Sequence, residues 1–387
     1  MHVLRHSRLA LLFAASLLVL AQGAAAGGRV AQPDALGPWA VGRTTFAITD
    51  PARNDRPLQI DAWYPVDPVD ATAPPSVYEL IGGIGILSEV ALDAPPVSSQ
   101  GPFPMIVFSH GSGGVRFQSF FLTESLASHG FVVVAPDHTG NTALDSIFGT
   151  QDPFEVIAVN RPADVSFLID TMLAKNADAL DPFRGAIDAS RIGVSGHSFG
   201  GFTALAVASG FGPVPADSRV RAIVPISPAS SILSDAALAS IEVPAMLLSG
   251  TADITTPIDP QTTRPFALLS SQPLYRVDIV DAGHNSFTET CAILEALLGV
   301  GIPPEILGFL IDAAAEGCAP ELIPIDEAHR IAQLYAVAFF QRHVAGAKRY
   351  KAFLTRGVAR DEPDAEFSTA IRGGGPSTLW LSSAAAF

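Results

Sequence analysis

Arg191-Ile-Gly-Val-Ser-Gly-His-Ser-Phe-Gly-Gly-Phe202 is a short apolar run that breaks into a Gly-x-Ser-x-Gly turn and then takes on helical character. A serine on a sharp strand-to-helix turn holds strained backbone angles, so the residues two before and two after it must lack side chains. Gly196 and Gly200 meet that need. The turn also sets the Ser198 hydroxyl at a helix N-terminus, where free N–H groups and the helix dipole favour developing negative charge. Ser198 is therefore the candidate nucleophile. Glycine-rich turns of no chemical importance share this pattern, so the surrounding chain has to decide.

Outward from this turn, short uniform apolar runs alternate with amphipathic stretches. The runs are 105–108, 131–135, 192–194, 222–226, 245–248 and 275–280, and the helical patterns between them cover 116–129, 160–174 and 198–209. Strands buried on both faces read this way, and the alternation predicts right-handed crossovers in a mostly parallel, doubly wound α/β sheet that binds ligands at the carboxyl ends of its strands. Upstream, residues 39–49 and 58–66 carry β-branched and aromatic residues on either side of a breaker-rich stretch, which predicts an N-terminal antiparallel hairpin at a sheet edge.

A serine nucleophile needs a base, the base needs a carboxylate to fix its tautomer, and the oxyanion needs preset donors. In an α/β-hydrolase fold these follow in the order Ser, acid, His. Just past the run 245–248 comes Ser249-Gly-Thr-Ala-Asp253, and past the last run comes Asp281-Ala-Gly-His284. Asp253 and His284 are thus the candidate acid and base. Asp259 lies farther into its loop, and Asp281 is placed to shape a turn. After the run 105–108, Ser109-His-Gly-Ser-Gly-Gly114 occupies the position from which this fold supplies an oxyanion N–H, so the expected donors are the backbone amides of Ser112 and Phe199. His110, Asp137, His138 and His284 contain no zinc-binding spacing, and the reading calls for neither a metal nor a cofactor. Asp137-His138 either lines the pocket mouth or forms a turn held by the Asp side chain.

The chain has 387 residues, 33 of them Gly and 31 Pro, which favours many tight turns around one large core. The formal net charge of −15 repels phosphate backbones and anionic lipid surfaces, which argues against nucleic-acid binding. Arg5 and Arg8, the apolar run Leu9 to Ala21 and Ala24-Ala25-Ala26 have the layout of a signal peptide cleaved near Ala26. The apolar run is shorter than the roughly 20 residues of a spanning helix, so the mature chain is expected to lack a transmembrane segment and to be secreted or periplasmic. In such a compartment the only two cysteines, Cys291 and Cys318, are expected to form a disulfide. The expected organisation is a signal peptide over 1–26, a lead-in over 27–37, one domain over 38–350 with insertions at 67–102 and 288–325, and a loosely held tail over 351–387.

Ser109-His-Gly-Ser-Gly113, Leu126-Ala-Ser-His-Gly-Phe131, Ser190-Arg-Ile-Gly-Val194 and Gly196-His-Ser-Phe-Gly-Gly201 resemble the secreted platelet-activating-factor acetylhydrolases, the lipoprotein-associated phospholipase family. Arg161-Pro-Ala-Asp164 and Gly283-His-Asn-Ser-Phe287 resemble the bacterial proteins labelled predicted dienelactone hydrolases, although neither cysteine here stands in the nucleophile turn. The resemblance covers residues 38 to 290 and the helix over 327–345. It implies a metal-independent serine esterase acting on short-chain or oxidised acyl esters of small or lipid substrates, with Ser198, Asp253 and His284 as the triad. Two rivals are a polyester hydrolase or lipase with the same triad, and a catalytically silent lipid-binding protein on the same scaffold. The complete triad weighs against the silent protein. The apolar segment between the two cysteines is expected to wall one side of the acyl cleft, with residues 78–92 as the next candidate for that place.

Overall fold

A computed structural model describes residues 30–372 and 378–382. The expected signal peptide and the first residues of the lead-in lie outside the described residues, as do 373–377 and 383–387. The strands are β1 (Ala40–Asp50), β2 (Arg56–Val66), β3 (Pro75–Ile81), β4 (Ile84–Asp93), β5 (Phe103–Ser109), β6 (Val132–Pro136), β7 (Ile187–His197), β8 (Val220–Ile226), β9 (Ala245–Gly250), β10 (Leu274–Ile279), β11 (Ala365–Arg372) and β12 (Thr378–Ser382). They form one sheet in the order β12-β11-β10-β9-β8-β7-β5-β6-β2-β1-β4-β3. The six strands from β6 to β10 pair in parallel, and antiparallel strands extend the sheet on both sides. This is the α/β-hydrolase arrangement.

The central strands are uniformly apolar because helices cover both faces of the sheet. Met105, Val107, Ile192 and Val194 join the core cluster with Val165, Leu168 and Phe202, from the helices Phe154–Ala177 and Phe199–Ser209. Their neighbours Ile106 and Gly193 face the opposite helix, Ile325–His343, so closely that a Cβ on Gly193 would sit 2.9 Å from the Phe340 ring. Successive side chains of a strand point to opposite faces, so this alternation divides one sequence run between two cores.

Two expectations are corrected at the edges. The hairpin β1–β2 does not end the sheet, because the insertion 67–102 forms a second hairpin, β3–β4, whose β4 pairs in parallel with β1. Gly82 and Gly83, at φ 60 and 81, make its two-residue turn, the conformation that such hairpins require at both central positions. Tyr78 anchors this hairpin to the domain, donating to Glu124 Oε1 at 2.6 Å and accepting from Trp63 Nε1 at 2.8 Å. At the other edge the chain does not become a loose tail after residue 350. β11 pairs antiparallel with β10 over Leu274–Ile279, and its alternation buries Ala365 and Phe367 while Glu366 faces solvent.

Candidate active site

Ser198 follows β7 directly, with φ 58 and ψ −116, a strained conformation for a residue with a side chain. A Cβ on Gly200 would lie 1.8 Å from the Ser109 carbonyl oxygen, and one on Gly196 would lie 2.4 Å from that of Gly200. The two glycines are therefore required by contact with β5 as well as by the turn. The elbow is pinned from both sides, since Ser198 N–H donates to Ile226 O at 2.9 Å and Ser198 O accepts from Ala229 N at 3.1 Å.

His284 opens the short turn after β10, and Asp253 follows β9. Their side chains meet: His284 Nδ1 lies 2.9 Å from Asp253 Oδ2, and His284 Nε2 lies 2.9 Å from Ser198 Oγ. Thr256 donates its N–H to Asp253 Oδ1 at 2.7 Å and its hydroxyl to Oδ2 at 2.9 Å. Burial pushes the Asp253 carboxyl up, but the His284 hydrogen bond and charge and the Thr256 N–H outweigh it and hold the group below its usual range. The carboxylate is thus ionised beside the imidazole, which is the state that fixes Nδ1 as a donor.

Behind the pair lies His197, the first of the two variable residues of the Gly-x-Ser-x-Gly turn. Burial and the adjacent His284 push its imidazole down to about 3, so it is neutral. Gln118 Nε2 donates to its Nδ1 at 3.0 Å, which leaves Nε2–H to donate to the His284 carbonyl at 2.8 Å. Gln118 also accepts the Gly111 N–H at 3.0 Å. One glutamine and one histidine therefore tie the glycine loop after β5 to the backbone of His284.

Ser112 stands in that loop beside Gly113, whose φ is 65. Phe199 is the first residue of the helix after Ser198, so its N–H has no carbonyl one turn back to bond. Asn141 borders Ser112 on two sides, donating Nδ2 to Ser112 Oγ at 3.0 Å and accepting the Gly113 N–H at 3.2 Å.

Ser198 and His284 open into a cleft of about 520 Å³. Ile293, Leu297, Phe309, Leu310 and Ala313 line it, as do Leu144 and Ile147. The first group comes from the helices Thr290–Gly299 and Gly308–Ala315, which Cys291 and Cys318 close into a loop with a disulfide. The segment between the cysteines thus borders the cleft, and Glu79 and Leu80 of the β3–β4 hairpin reach it as well.

Other candidates fall elsewhere. Asp259 accepts from Thr263 Oγ1, and Asp281 takes φ 55 in the turn before His284. Asp137 both lines the cleft and accepts from the Arg116 N–H and guanidinium, whereas His138 is buried against Ser109 and Asp164. Among the described residues no group of three or more His, Cys, Asp or Glu is placed to hold a metal ion. Thr256, His197, Gln118, Asn141 and Arg161 were not singled out as site residues in the sequence. His197 had a local signal, its place inside the elbow motif, and Arg161 stood in the motif Arg161-Pro-Ala-Asp164. The rest carried none.

Comparison with known proteins places these features among ester hydrolases. The model of the PETase family, described as PET hydrolase-like, matches residues 95–297. The cutinase est1 of Thermobifida alba is 32% identical over 153 residues, 40% of this chain and 43% of that protein. The platelet-activating factor acetylhydrolase of Cavia porcellus is 25% identical over 167 residues, 34% of this chain and 36% of that one. The chain thus spans less than half the length of the curated relatives it matches. A ferulic acid esterase from Streptomyces cinnamoneus superposes with a TM-score of 0.60 at 24% identity over 79% of this chain and 90% of its own, a likeness of fold. The acetylhydrolase resemblance is real but the more distant of the two, and the cutinase match is the stronger.

Proposed function

The chain belongs to the PETase family of PET hydrolase-like proteins, and on that premise we propose that it is a carboxylic ester hydrolase, an exported polyester hydrolase using Ser198, His284 and Asp253. The observation that carries the proposal is the position of His284, 2.9 Å from Ser198 Oγ on one ring nitrogen and 2.9 Å from Asp253 on the other, at an apolar cleft. Ser198 Oγ attacks the ester carbonyl as its proton passes to His284 Nε2, and the tetrahedral oxygen takes up the N–H groups of Ser112 and Phe199. Collapse expels the alcohol, which receives the proton from His284. Water then attacks the acyl-serine with His284 again as base, releasing the acid and restoring the Ser198 hydroxyl. Asp253 remains a carboxylate throughout and stabilises the imidazolium.

The polyester reading ranks ahead of a short-chain or oxidised-acyl esterase because of the family match and the cutinase relatives. It also suits a cleft of about 520 Å³ lined by apolar residues from several segments. No helix among the described residues is long and apolar enough to cross a membrane. Export is supported by the signal-peptide layout of residues 1–26 and by the Cys291–Cys318 disulfide, a bond that persists in oxidising compartments.

A fluorophosphonate probe followed by product release from an aliphatic polyester film and from an acetyl phospholipid tests the assignment. We expect an adduct on Ser198 and turnover of the film. Labelled protein that cleaves only the acetyl phospholipid would restore the acetylhydrolase reading, and folded protein that takes no label would leave a silent binding protein.

A further inference from the structure

The loop that carries Ser112 is braced from beneath by a buried cation. Arg161, on the helix Phe154–Ala177, has no exposed surface, and no carboxylate among the described residues lies within ion-pair distance of it. Its guanidinium donates instead to Asn141 Oδ1 at 2.6 Å, Ser109 Oγ at 3.1 Å, Thr203 Oγ1 at 3.2 Å, Gly111 O at 3.4 Å and His110 O. Burial pulls its pKa down to about 9, with Asp164 opposing, so it remains a cation at neutral pH. Burying an unpaired guanidinium costs several kcal/mol unless its hydrogen bonds are satisfied. The acceptors that satisfy it here belong largely to one short segment, residues 109–111.

The Gly111 carbonyl is the informative one. It shares a peptide unit with the Ser112 N–H, and in a trans peptide the two groups point in opposite directions. His110 Nδ1 also lies 2.6 Å from Gly111 O, and His110 Nε2 accepts the His138 N–H at 3.1 Å, so Nδ1 carries the proton and donates. These two side-chain donors, together with the Gly114 N–H at 3.2 Å, hold this carbonyl in place and so fix the direction of the Ser112 N–H. A cation on the carbonyl also polarises the peptide, which makes its N–H a better donor. Asn141 extends the brace, taking Arg161 on its Oδ1 and giving its Nδ2 to Ser112 Oγ. The guanidinium carbon is also 5.1 Å from the ring centre of Phe199, the other expected donor.

We propose that Arg161 is a positioning residue for the oxyanion site, fixing and polarising the Gly111–Ser112 peptide so that its N–H meets the tetrahedral oxygen. The inference rests on Ser198 as nucleophile and Ser112 as donor. It differs from a purely structural role in what it affects: a misaimed amide harms the transition state and leaves substrate binding nearly intact.

The test compares a soluble oxoester with its thionoester, in which sulfur replaces the carbonyl oxygen and accepts hydrogen bonds poorly. The wild-type protein should label on Ser198 with a fluorophosphonate and favour the oxoester. Arg161→Lys and Arg161→Met should lower kcat on the oxoester by about 10²-fold, the effect of losing one oxyanion donor, with KM changed by less than about threefold. The thionoester rate should fall far less, so the oxo-to-thiono ratio drops about tenfold or more, with lysine closer to the parent than methionine. Equal losses on the two substrates would overturn the proposal and make Arg161 a scaffold residue. Should neither variant fold by circular dichroism, Arg161→Gln carries the test, since its amide is shorter and uncharged and removes both the fork and the cation from the Gly111 carbonyl. An unchanged ratio in folded Arg161→Gln would then overturn the proposal. A wild-type protein without label on Ser198 would remove the reading on which the inference rests, whereas a labelled wild type whose variants keep the parent ratio would remove the inference alone.

Discussion

The two sides of the cleft are built on opposite principles. On one side, the loops that carry Ser198, Ser112, Asp253 and His284 cap parallel strands and are held by buried polar groups: Arg161, Gln118 and Thr256 each bond two or more atoms, and His197 bonds the His284 carbonyl. On the other side, the helices Thr290–Gly299 and Gly308–Ala315 present a partly exposed apolar surface, with Leu298, Val300, Phe309 and Ile311 open to solvent. That side is tied down by the Cys291–Cys318 disulfide and by a few bonds to the loop of the base, such as Asn285 N–H to Glu316 O at 2.8 Å. Polar networks specify one geometry, while apolar contacts tolerate re-packing. Chemistry should therefore depend on the first side and substrate preference on the second.

The largest effect that tests this division is at the nucleophile. Ser198→Ala should lower turnover on the order of 10⁶-fold with no loss of fold, because triad members act as a unit. Activity within about tenfold of the parent would place the chemistry somewhere else and dissolve the comparison.

Next in size is the oxyanion loop. Ser112→Pro removes one backbone N–H and should cost about 10²- to 10³-fold in kcat, while Ser112→Ala keeps the N–H and should stay within about tenfold of the parent. Steady-state kinetics on one soluble ester decide it, and equal losses in the two variants would show that the loop's shape, not its amide, is what the reaction needs.

The polar side should also be the acid-sensitive one. His110, His138 and His197 are buried and neutral. Burial, with Arg161 adding to it, pushes His138 down to about 4, and burial with His284 pushes His197 down to about 3. His110 is likewise lowered, by burial first and then by Arg161. In each case the folded pKa lies below the unfolded value of about 6.5, so the unfolded chain binds protons first. Stability is therefore complete above that pH and falls as pH drops towards the folded values, with a slope of about 1.4 kcal/mol per pH unit for each group. Urea midpoints measured from pH 7.5 to 4.5 should decline, and a flat profile would mean that these histidines titrate normally and are less enclosed than the geometry requires.

What the sequence disclosed follows the same division. The six central strands were legible because burial on both faces writes them as unbroken apolar runs, and Ser198, Asp253 and His284 were legible as candidates because each follows such a run. Arg161, Asn141 and Gln118 act across gaps of 20 to 79 residues, and a lone polar residue in an ordinary helix or loop has no local pattern to announce such a partner. The β3–β4 hairpin was obscured because Gly82 and Gly83, read as breakers, are the two residues of its turn. The strand after residue 364 was passed over because a single short alternation, with Phe367 as its one large apolar residue, is weak until β10 offers it an edge.

The smallest expected effect is the one that examines the apolar side directly. The cysteines lie 27 residues apart, and closing a loop of that size restrains the unfolded chain by roughly 3 kcal/mol in the chain-entropy treatment. The same bond holds together two helices whose Ile293, Leu297, Phe309 and Leu310 border the cleft. Gly299 and Gly308, where an added Cβ would meet nothing, and Gly301, at φ 85, leave the connection between those helices with little of its own to keep it in place. Cys291→Ser with Cys318→Ser should therefore lower the melting temperature and also loosen the wall. Acetyl esters, whose acyl group does not reach the wall, should be hydrolysed within about twofold of the parent rate, while the preference among butyl, hexyl and octyl acyl esters shifts by about three- to tenfold, the size of effect that one or two methylene contacts produce. The measurement is a panel of kcat/KM values across acyl length at a temperature well below both melting points. A lowered melting temperature with an unchanged acyl profile would show that the two helices cover the domain without shaping substrate choice, and selectivity would then have to come from the other apolar lining residues, Leu80, Leu144 and Ile147.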